Sequence, residues 1–206
     1  MKPLITVALP KGRLGNEVYE ILKKSGYEMN DAESDSRKLI FEDEKNCVRF
    51  FWAKPSDVHV YVERGAADVG IIGKDILLEY EPDIYELLDL KIGKCKMCVA
   101  AKDGYTDDKR KTLRVATKYK KIAKEYYMSK GRDIDIIPLN GSIELAPLLN
   151  LSDVIVDIVE TGKTLKENNL VIVDKIIDIS ARFIANKTSY RFKEEEINKL
   201  KKALEC

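Results

Sequence analysis

Short apolar runs rich in β-branched residues alternate along most of this chain with amphipathic helical patterns. That alternation restricts it to an α/β architecture. "LITVAL" (4–9) reads as a buried strand, "PKGRLG" as the loop after it, and "NEVYEILKKSG" (16–26) as a helix. Val18, Ile21 and Leu22 share that helix's apolar face, and Gly26 stops it. "KLIFED", "CVRFFWA" and "DVGIIG" (68–73) read as further strands, with a helix opening at "KPSD" between the last two and "KDILLEY" as a short helix beyond. From about residue 91 a second block repeats the alternation. Strands "KMCVAAK", "TLRVAT", "DIDIIPL" and "DVIVDIV" are separated by the helix "KYKKIAKEYYMSKG" and by "SIELAPLLN", a helix with Ser142 as candidate cap. "LVIVDKIIDISARFIAN" is one or two long strands. "KEEEINKLKKALE" is a closing helix with acids first and lysines last, and Ile197, Leu200 and Leu204 as its buried stripe. No repeat, low-complexity segment or linker marks a boundary, so the break near 91 rests on strand order.

With 206 residues the chain makes one large domain or two small ones. Its 36 basic and 35 acidic side chains leave a net charge of +1, which gives no reason to expect nucleic acid or an acidic membrane as partner. An anion site must therefore be built locally. No apolar run approaches the roughly 20 residues of a membrane helix, and "MKPLITVALPKGR" lacks a signal-type cleavage site, so a cytoplasmic location is expected. "CKMC" has C-x-x-C spacing, but on a strand Cys95 and Cys98 point to opposite faces and are expected to be structural thiols. His59, the only histidine, falls inside a helix and reads as structural.

"DIVETGKTL" (157–165) ends like a phosphate-binding P-loop, yet the position that requires the first glycine is Asp157. The segment still runs from strand through a small-residue loop into a helix, a geometry that aims backbone N–H groups at an anion. Thr161 and Thr164 add hydroxyls, and Gly162 admits close approach. Asp153, Asp157 and Glu160 stand beside it, and carboxylates next to a phosphate cradle suit a sugar phosphate, whose hydroxyls they accept. In "LPKGRLG", Lys11 and Arg13 flank Gly12 at the carboxyl end of a strand, a pattern suited to a polyphosphate. Arg37, Lys38 and Lys54 are further cations at strand boundaries, and Asp68, Gly70, Gly73 and Asp75 mark a strand–turn–helix in "ADVGIIGKDIL". No nucleophile elbow or dinucleotide fingerprint occurs.

Taken together, "LPKGRL", "DSRKLIF", "GAADVGIIGKDIL", "NGSIELAPLL" and "DVIVDIVETGKTLKENNL", with the weaker "ARFIANKTSY", resemble the ATP phosphoribosyltransferase family. The match spans nearly the whole chain in the family's order. It implies two α/β domains flanking a cleft, periplasmic-binding-protein-like, with the second inserted into the first: 1–90 plus 171–206, and 91–170. It implies reaction of ATP with 5-phosphoribosyl-1-pyrophosphate (PRPP), with Mg²⁺ carried by the substrates rather than by direct protein ligands. PRPP contacts are expected from Asp153, Asp157, Glu160, Thr161, Gly162, Lys163, Thr164 and Leu165. ATP contacts are expected from Lys11, Gly12, Arg13, Lys38, Asp68, Gly73 and Glu144. Arg13, Arg37 and Lys54 are the expected catalytic cations.

The chain departs from the family pattern in carrying Lys54 for a common arginine, which forgoes a bidentate grip, and His59 for a common proline. It is similar throughout to the short form, which lacks the histidine-binding domain of the long form. That form implies a homodimer core and a regulatory subunit resembling histidyl-tRNA synthetase. Rival readings are a solute-binding protein, disfavoured by the missing secretion signal, a P-loop phosphotransferase, disfavoured by Asp157, and a non-catalytic nucleotide-binding paralogue.

Overall fold

The structure, a computed structural model, describes residues 3–29 and 38–205. Arg37 lies outside the described residues. The chain divides into two units. The first comprises 1–77, 81–93 and 180–206, and the second 78–80 and 94–179.

The first unit is built from β1 (Ile5–Pro10), α1 (Arg13–Lys24), β2 (Ile40–Asp43), β3 (Val48–Ala53), α2 (Val58–Glu63), β4 (Val69–Gly73), α3 (Lys74–Tyr80) and β5 (Tyr85–Asp89). The last turn of α3 counts with the second unit. The second unit contains β6 (Cys95–Lys102), β7 (Leu113–Thr117), α4 (Lys120–Ser129), β8 (Ile134–Pro138), α5 (Leu145–Leu148), β9 (Val154–Val159), α6 (Lys163–Glu167) and β10 (Leu170–Ile179). The chain then completes the first unit with β11 (Ala181–Ala185), α7 (Lys187–Phe192) and α8 (Glu194–Leu204).

Each unit is a sheet covered on both faces. In the first, Ile5, Val7 and Leu9 of β1 pack with Val18 and Leu22 of α1 and with Ile197, Leu200 and Leu204 of α8. The intervening Ala8 joins Val58 and Val62 of α2 and Ile76 of α3 on the opposite face. In the second, Val115, Val154 and Val156 pack with Ile122, Ala123 and Tyr127 of α4. Ala116, Ile155 and Cys98 turn the other way, toward Ala146 of α5 and Leu165 of α6. The period-2 alternation of the strands thus decides which helix each side chain meets. It also separates the C-x-x-C pair, since Cys95 packs with the α4 face and Cys98 with the α5/α6 face.

The two sheets share one topology. In the first, β3, β1 and β4 run parallel, β11 is antiparallel to β4, and β5 antiparallel to β11, with β2 added outside β3. In the second, β8, β7 and β9 run parallel, followed by antiparallel β6 and then β10. The repeat escapes the sequence because little beyond an Asp-Val pair, 68–69 and 153–154, is common to both halves.

Three sequence-based boundaries shift. The chain returns to the first unit at Ser180 rather than 171, because β10 pairs with β6 from Leu170↔Lys102 to Ile179↔Cys95. Helix α1 opens at Arg13, so "PKGRLG" is only partly loop. Ser142 does not cap α5: its backbone is left-handed (φ 48°), and its carbonyl, not its hydroxyl, accepts the Leu145 N–H at 3.1 Å.

Candidate active site

In open parallel sheets, ligands gather at the carboxyl ends of the strands, and most of the candidate residues lie there. In the first unit the Lys11 N–H donates to the Ala53 carbonyl at 2.7 Å. The ends of β1 and β3 are therefore closed side by side, and Lys11 and Lys54 leave the sheet together. Gly12 follows at φ 102°, a conformation that favours glycine, and turns the chain so that exposed Arg13 becomes the first residue of α1. Gly15, between half-buried Leu14 and exposed Asn16, is buried: a β-carbon there would lie 1.9 Å from the Pro10 carbonyl oxygen and 2.6 Å from the Trp52 ring. Its lack of a side chain lets α1 sit directly on the strand ends.

Lys38 precedes β2, whose Ile40 pairs with Phe51 near the end of β3, so Lys38 stands at the same edge. Gly73 ends β4 there too, and the space its β-carbon would fill is occupied by the buried Asp75 carboxylate, with Oδ1 2.1 Å from that position. Among the described residues Lys11 and Lys54 have no ion-pair partner, which leaves two cations available at one sheet edge.

In the second unit the carboxyl edge carries the loops after β7, β8 and β9. The loop after β9 is exposed at Glu160, Thr161, Lys163 and Thr164. Gly162 adopts φ 72°, and the Thr161 hydroxyl accepts the Lys163 N–H at 3.4 Å, which folds the loop into the first turn of α6. Lys163 also pairs with Glu167 at 3.7 Å, both well exposed. Leu165 is buried in the α5/α6 core, so it anchors the loop instead of lining it. Asp157 stands half-buried two residues before the strand ends, its Oδ1 accepting the Ile158 N–H at 2.8 Å. Glu144, half-buried at the start of α5, belongs to the loop after β8 on the same edge.

Sequence reasoning missed Thr117, fully buried at the end of β7. Its hydroxyl donates to the Val156 carbonyl (2.7 Å) and accepts the Tyr119 N–H (2.8 Å), tying β7 to β9 just before the phosphate-type loop. A threonine between an apolar strand and a lysine-rich helix was the available signal.

Two expected contacts are corrected. Asp68 and Asp153 precede β4 and β9, so they occupy the amino edges of their sheets, a strand length away from the loops. Asp68 is buried, accepts the Thr6 N–H at 2.8 Å and pairs with Lys193 at 2.9 Å. Asp153 accepts the Arg114 N–H at 2.9 Å and grips the Arg114 guanidinium at 2.6 and 3.2 Å. Both carboxylates are spent on equivalent internal ties between neighbouring strands.

Removing Asp68 with alanine is expected to cost about 3 kcal/mol, since it strands a buried N–H and a lysine. Asp153→Asn is expected to cost only about 1 kcal/mol, because the pair is solvent-screened, and to leave the KM for PRPP unchanged. Hydrogen bonds from Arg114 hold the Asp153 carboxyl below its usual range. Its stabilisation is therefore complete above the unfolded-state pKa of about 3.9 and lost as pH falls through the lower folded value. Urea melts of parent and Asp153→Asn should converge as the solution is acidified. A raised KM for PRPP would return Asp153 to the site.

His59 is buried in α2, where desolvation pushes its imidazole pKa down despite nearby Glu63, the Ser56 backbone and Asp57. It stays neutral at physiological pH.

The family model described as "HisG: ATP phosphoribosyltransferase" matches residues 54–206. The chain belongs to the ATP phosphoribosyltransferase family. It is 59% identical to the ATP phosphoribosyltransferase of Brachyspira hyodysenteriae, with 98% of each chain covered. It is 54% identical to that of Clostridioides difficile, over 95% of this chain and 94% of the relative. Among solved structures it is similar to the ATP phosphoribosyl transferase (HisG:HisZ) complex from Thermotoga maritima. That match has 39% identity, a TM-score of 0.85, and coverage of 98% of this chain and 99% of the matched one. The fold is the two-domain, periplasmic-binding-protein-like α/β class. The activity is transfer of phosphoribosyl from PRPP to N1 of the adenine of ATP, with release of pyrophosphate, the first step of histidine biosynthesis. ATP phosphoribosyltransferase chemistry suits edges rich in cations and hydroxyls and poor in nucleophiles. The adenine nitrogen brings its own lone pair, and the sugar carbon passes through an oxocarbenium-like state that needs positioning and charge stabilisation. Among the described residues no helix is long and apolar enough to cross a membrane.

Proposed function

We propose a division of labour between two sheet edges. In the second unit, Glu160–Leu165 holds the 5′-phosphate of PRPP through the Thr161 and Thr164 hydroxyls, Lys163 and the backbone at Gly162. Asp157 and Glu160 accept ribose hydroxyls, and Thr117 fixes the end of β9 from which the loop departs. In the first unit, Lys11, Gly12, Arg13 and Lys38 meet ATP phosphates, and Arg13 and Lys54, with Arg37, stabilise the charge that builds on departing pyrophosphate. Gly73 and Glu144 contribute to ATP from their respective edges. The observation that carries this reading is the gathering of the described groups among these at the carboxyl edges of the parallel strands, while Asp68 and Asp153 lie at the amino edges.

Mg²⁺ would arrive on substrate phosphates, as this hard cation prefers, and would neutralise part of the leaving group's charge. Lys11, Arg13 and Lys54 supply the chain's own positive charge for the same purpose. Incubating the chain with ATP, PRPP and Mg²⁺ should yield phosphoribosyl-ATP and pyrophosphate, and replacing Thr161 or Thr164 by valine should raise the KM for PRPP about tenfold, the loss of one charge-assisted hydrogen bond. An unchanged KM in both variants would move the phosphate elsewhere.

A homodimer core joined by a regulatory HisZ-type subunit, resembling histidyl-tRNA synthetase, is the assembly this reading favours. Its support is the likeness to a chain from a HisG:HisZ complex. The purified chain alone is expected to be insensitive to histidine. Inhibition of it by micromolar histidine would place a regulatory site on this chain instead.

A further inference from the structure

The second unit has a cavity of about 350 Å³ opening at the amino edge of its sheet. It is bounded by Leu113 and Val154, the first residues of β7 and β9. The Thr161–Leu165 loop lies at the other end of β9, roughly 20 Å away for a six-residue strand, so the cavity is separate from that loop.

Its floor is apolar, made by Val99, Leu113 and Val154, and its walls are Tyr105, Tyr126 and Tyr127. Tyr126 and Tyr127 meet edge-to-face at 4.9 Å, forming an aromatic corner that a planar ring can enter. The phenols are not equivalent. Tyr126 donates to Asp174 at 2.5 Å, and Tyr105 to Asp107 at 3.4 Å. Tyr127 is only 6% exposed, and its hydroxyl has no hydrogen-bond partner among the described residues. Burial pushes its pKa strongly upward, with Tyr126, Tyr105 and Asp107 adding to the rise, so the proton stays on the oxygen. That hydroxyl is not among the solvent-excluded polar atoms, so it is reached from the cavity that Tyr127 lines and can donate to an acceptor brought into it. The charges around the cavity balance: Lys109, Lys130 and Arg132 stand against Asp107, Asp133 and Asp174. Two pairs are closed, Arg132–Asp107 at 2.8 Å and Lys130–Asp174 at 2.5 Å. A net charge on the ligand would find no surplus to answer it.

We propose that this cavity is a second ligand site, taking a small uncharged planar heteroaromatic molecule whose ring packs in the tyrosine corner and whose acceptor atom accepts a hydrogen bond from the Tyr127 hydroxyl. Quinoline and naphthalene test it as probes, because they share shape and differ in one ring nitrogen. At pH 8, where quinoline is neutral, protein-observed NMR titration of the full chain should show quinoline binding near about 1 mM, as expected for ten heavy atoms. Amide shifts should centre on 105, 127 and 154, and quinoline should bind at least fivefold tighter than naphthalene. Tyr127→Phe keeps the ring and should abolish that preference. Val173→Trp, at a half-exposed lining position on β10, should block both probes without altering the thermal midpoint. Absence of binding at 5 mM, shifts centred on Thr161–Leu165, or a preference that survives Tyr127→Phe would each overturn the site.

Discussion

Arg13→Ala is expected to lower kcat by about 10²–10³-fold, the usual loss when one preorganised donor to developing negative charge is removed. Arg13 is the first residue of α1 and exposed beside the strand end that also presents Lys11 and Lys54. Breaking the glycosidic bond to pyrophosphate builds negative charge on the departing oxygens, so a fixed guanidinium acts more strongly on the transition state than on bound PRPP. The effect should fall on kcat more than on either KM. Arg13→Lys should recover only part of it, because an ammonium restores the point charge without the two-pronged geometry. The side chain is outside the core, so the thermal midpoint should not move. Steady-state rates of phosphoribosyl-ATP formation at saturating ATP and PRPP provide the check, and a kcat within threefold of the parent would remove Arg13 from the reaction.

Adding one carbon at Gly15 should do structural damage of a different kind. The β-carbon of Gly15→Ala would sit 1.9 Å from the Pro10 carbonyl oxygen. A backbone oxygen at a strand end cannot swing aside, and the other obstacle, the Trp52 ring at 2.6 Å, is itself packed against the first unit's core. Helix α1 must lift off the sheet, at a cost on the order of 3 kcal/mol, the upper range for overpacking. For a chain of this size that corresponds to a fall in Tm of about 6–12 °C. Activity should fall with it, because lifting α1 carries Lys11, Gly12 and Arg13 away from Lys54. Trp52 is the chain's single tryptophan, so its emission reports the displacement directly. An unaltered spectrum together with an unaltered Tm would show that the helix tolerates the methyl group.

The sequence made the elements legible wherever apolar periodicity is strong. The α8 stripe of Ile197, Leu200 and Leu204 is buried as read, and the opposite orientations of Cys95 and Cys98 follow from strand period alone. Strand ends were harder. Asp153 and Asp157 are four residues apart in "DVIVDIV", yet one is spent on Arg114 at the amino edge while the other stands near the loop. Proximity along an extended strand is distance in space, about 3.3 Å per residue, and composition does not say which end faces a ligand. Asp68 was misread for the same reason. The 171 boundary failed because apolar pattern alone does not choose a strand's partner: β10 turns back on β6 before the chain leaves the second unit. The Tyr127 cavity left no local signal, since its walls come from segments 22 residues apart.

The way the second unit is spliced into the first bears on how the chain reaches its native state. Ile179 pairs with Cys95, and just beyond them Ala181 donates to the Ile92 carbonyl at 3.0 Å. The inserted segment thus begins and ends on adjacent strands, about 5 Å apart. Strand β11 must find β4 and β5 across roughly a hundred intervening residues, a search whose entropy cost grows with the logarithm of the loop. Once β10 has zipped onto β6, that search is over: the two ends stand together, and the first sheet closes as though its last strand followed from a tight turn. Long-range closure of one half is in effect a local event of the other.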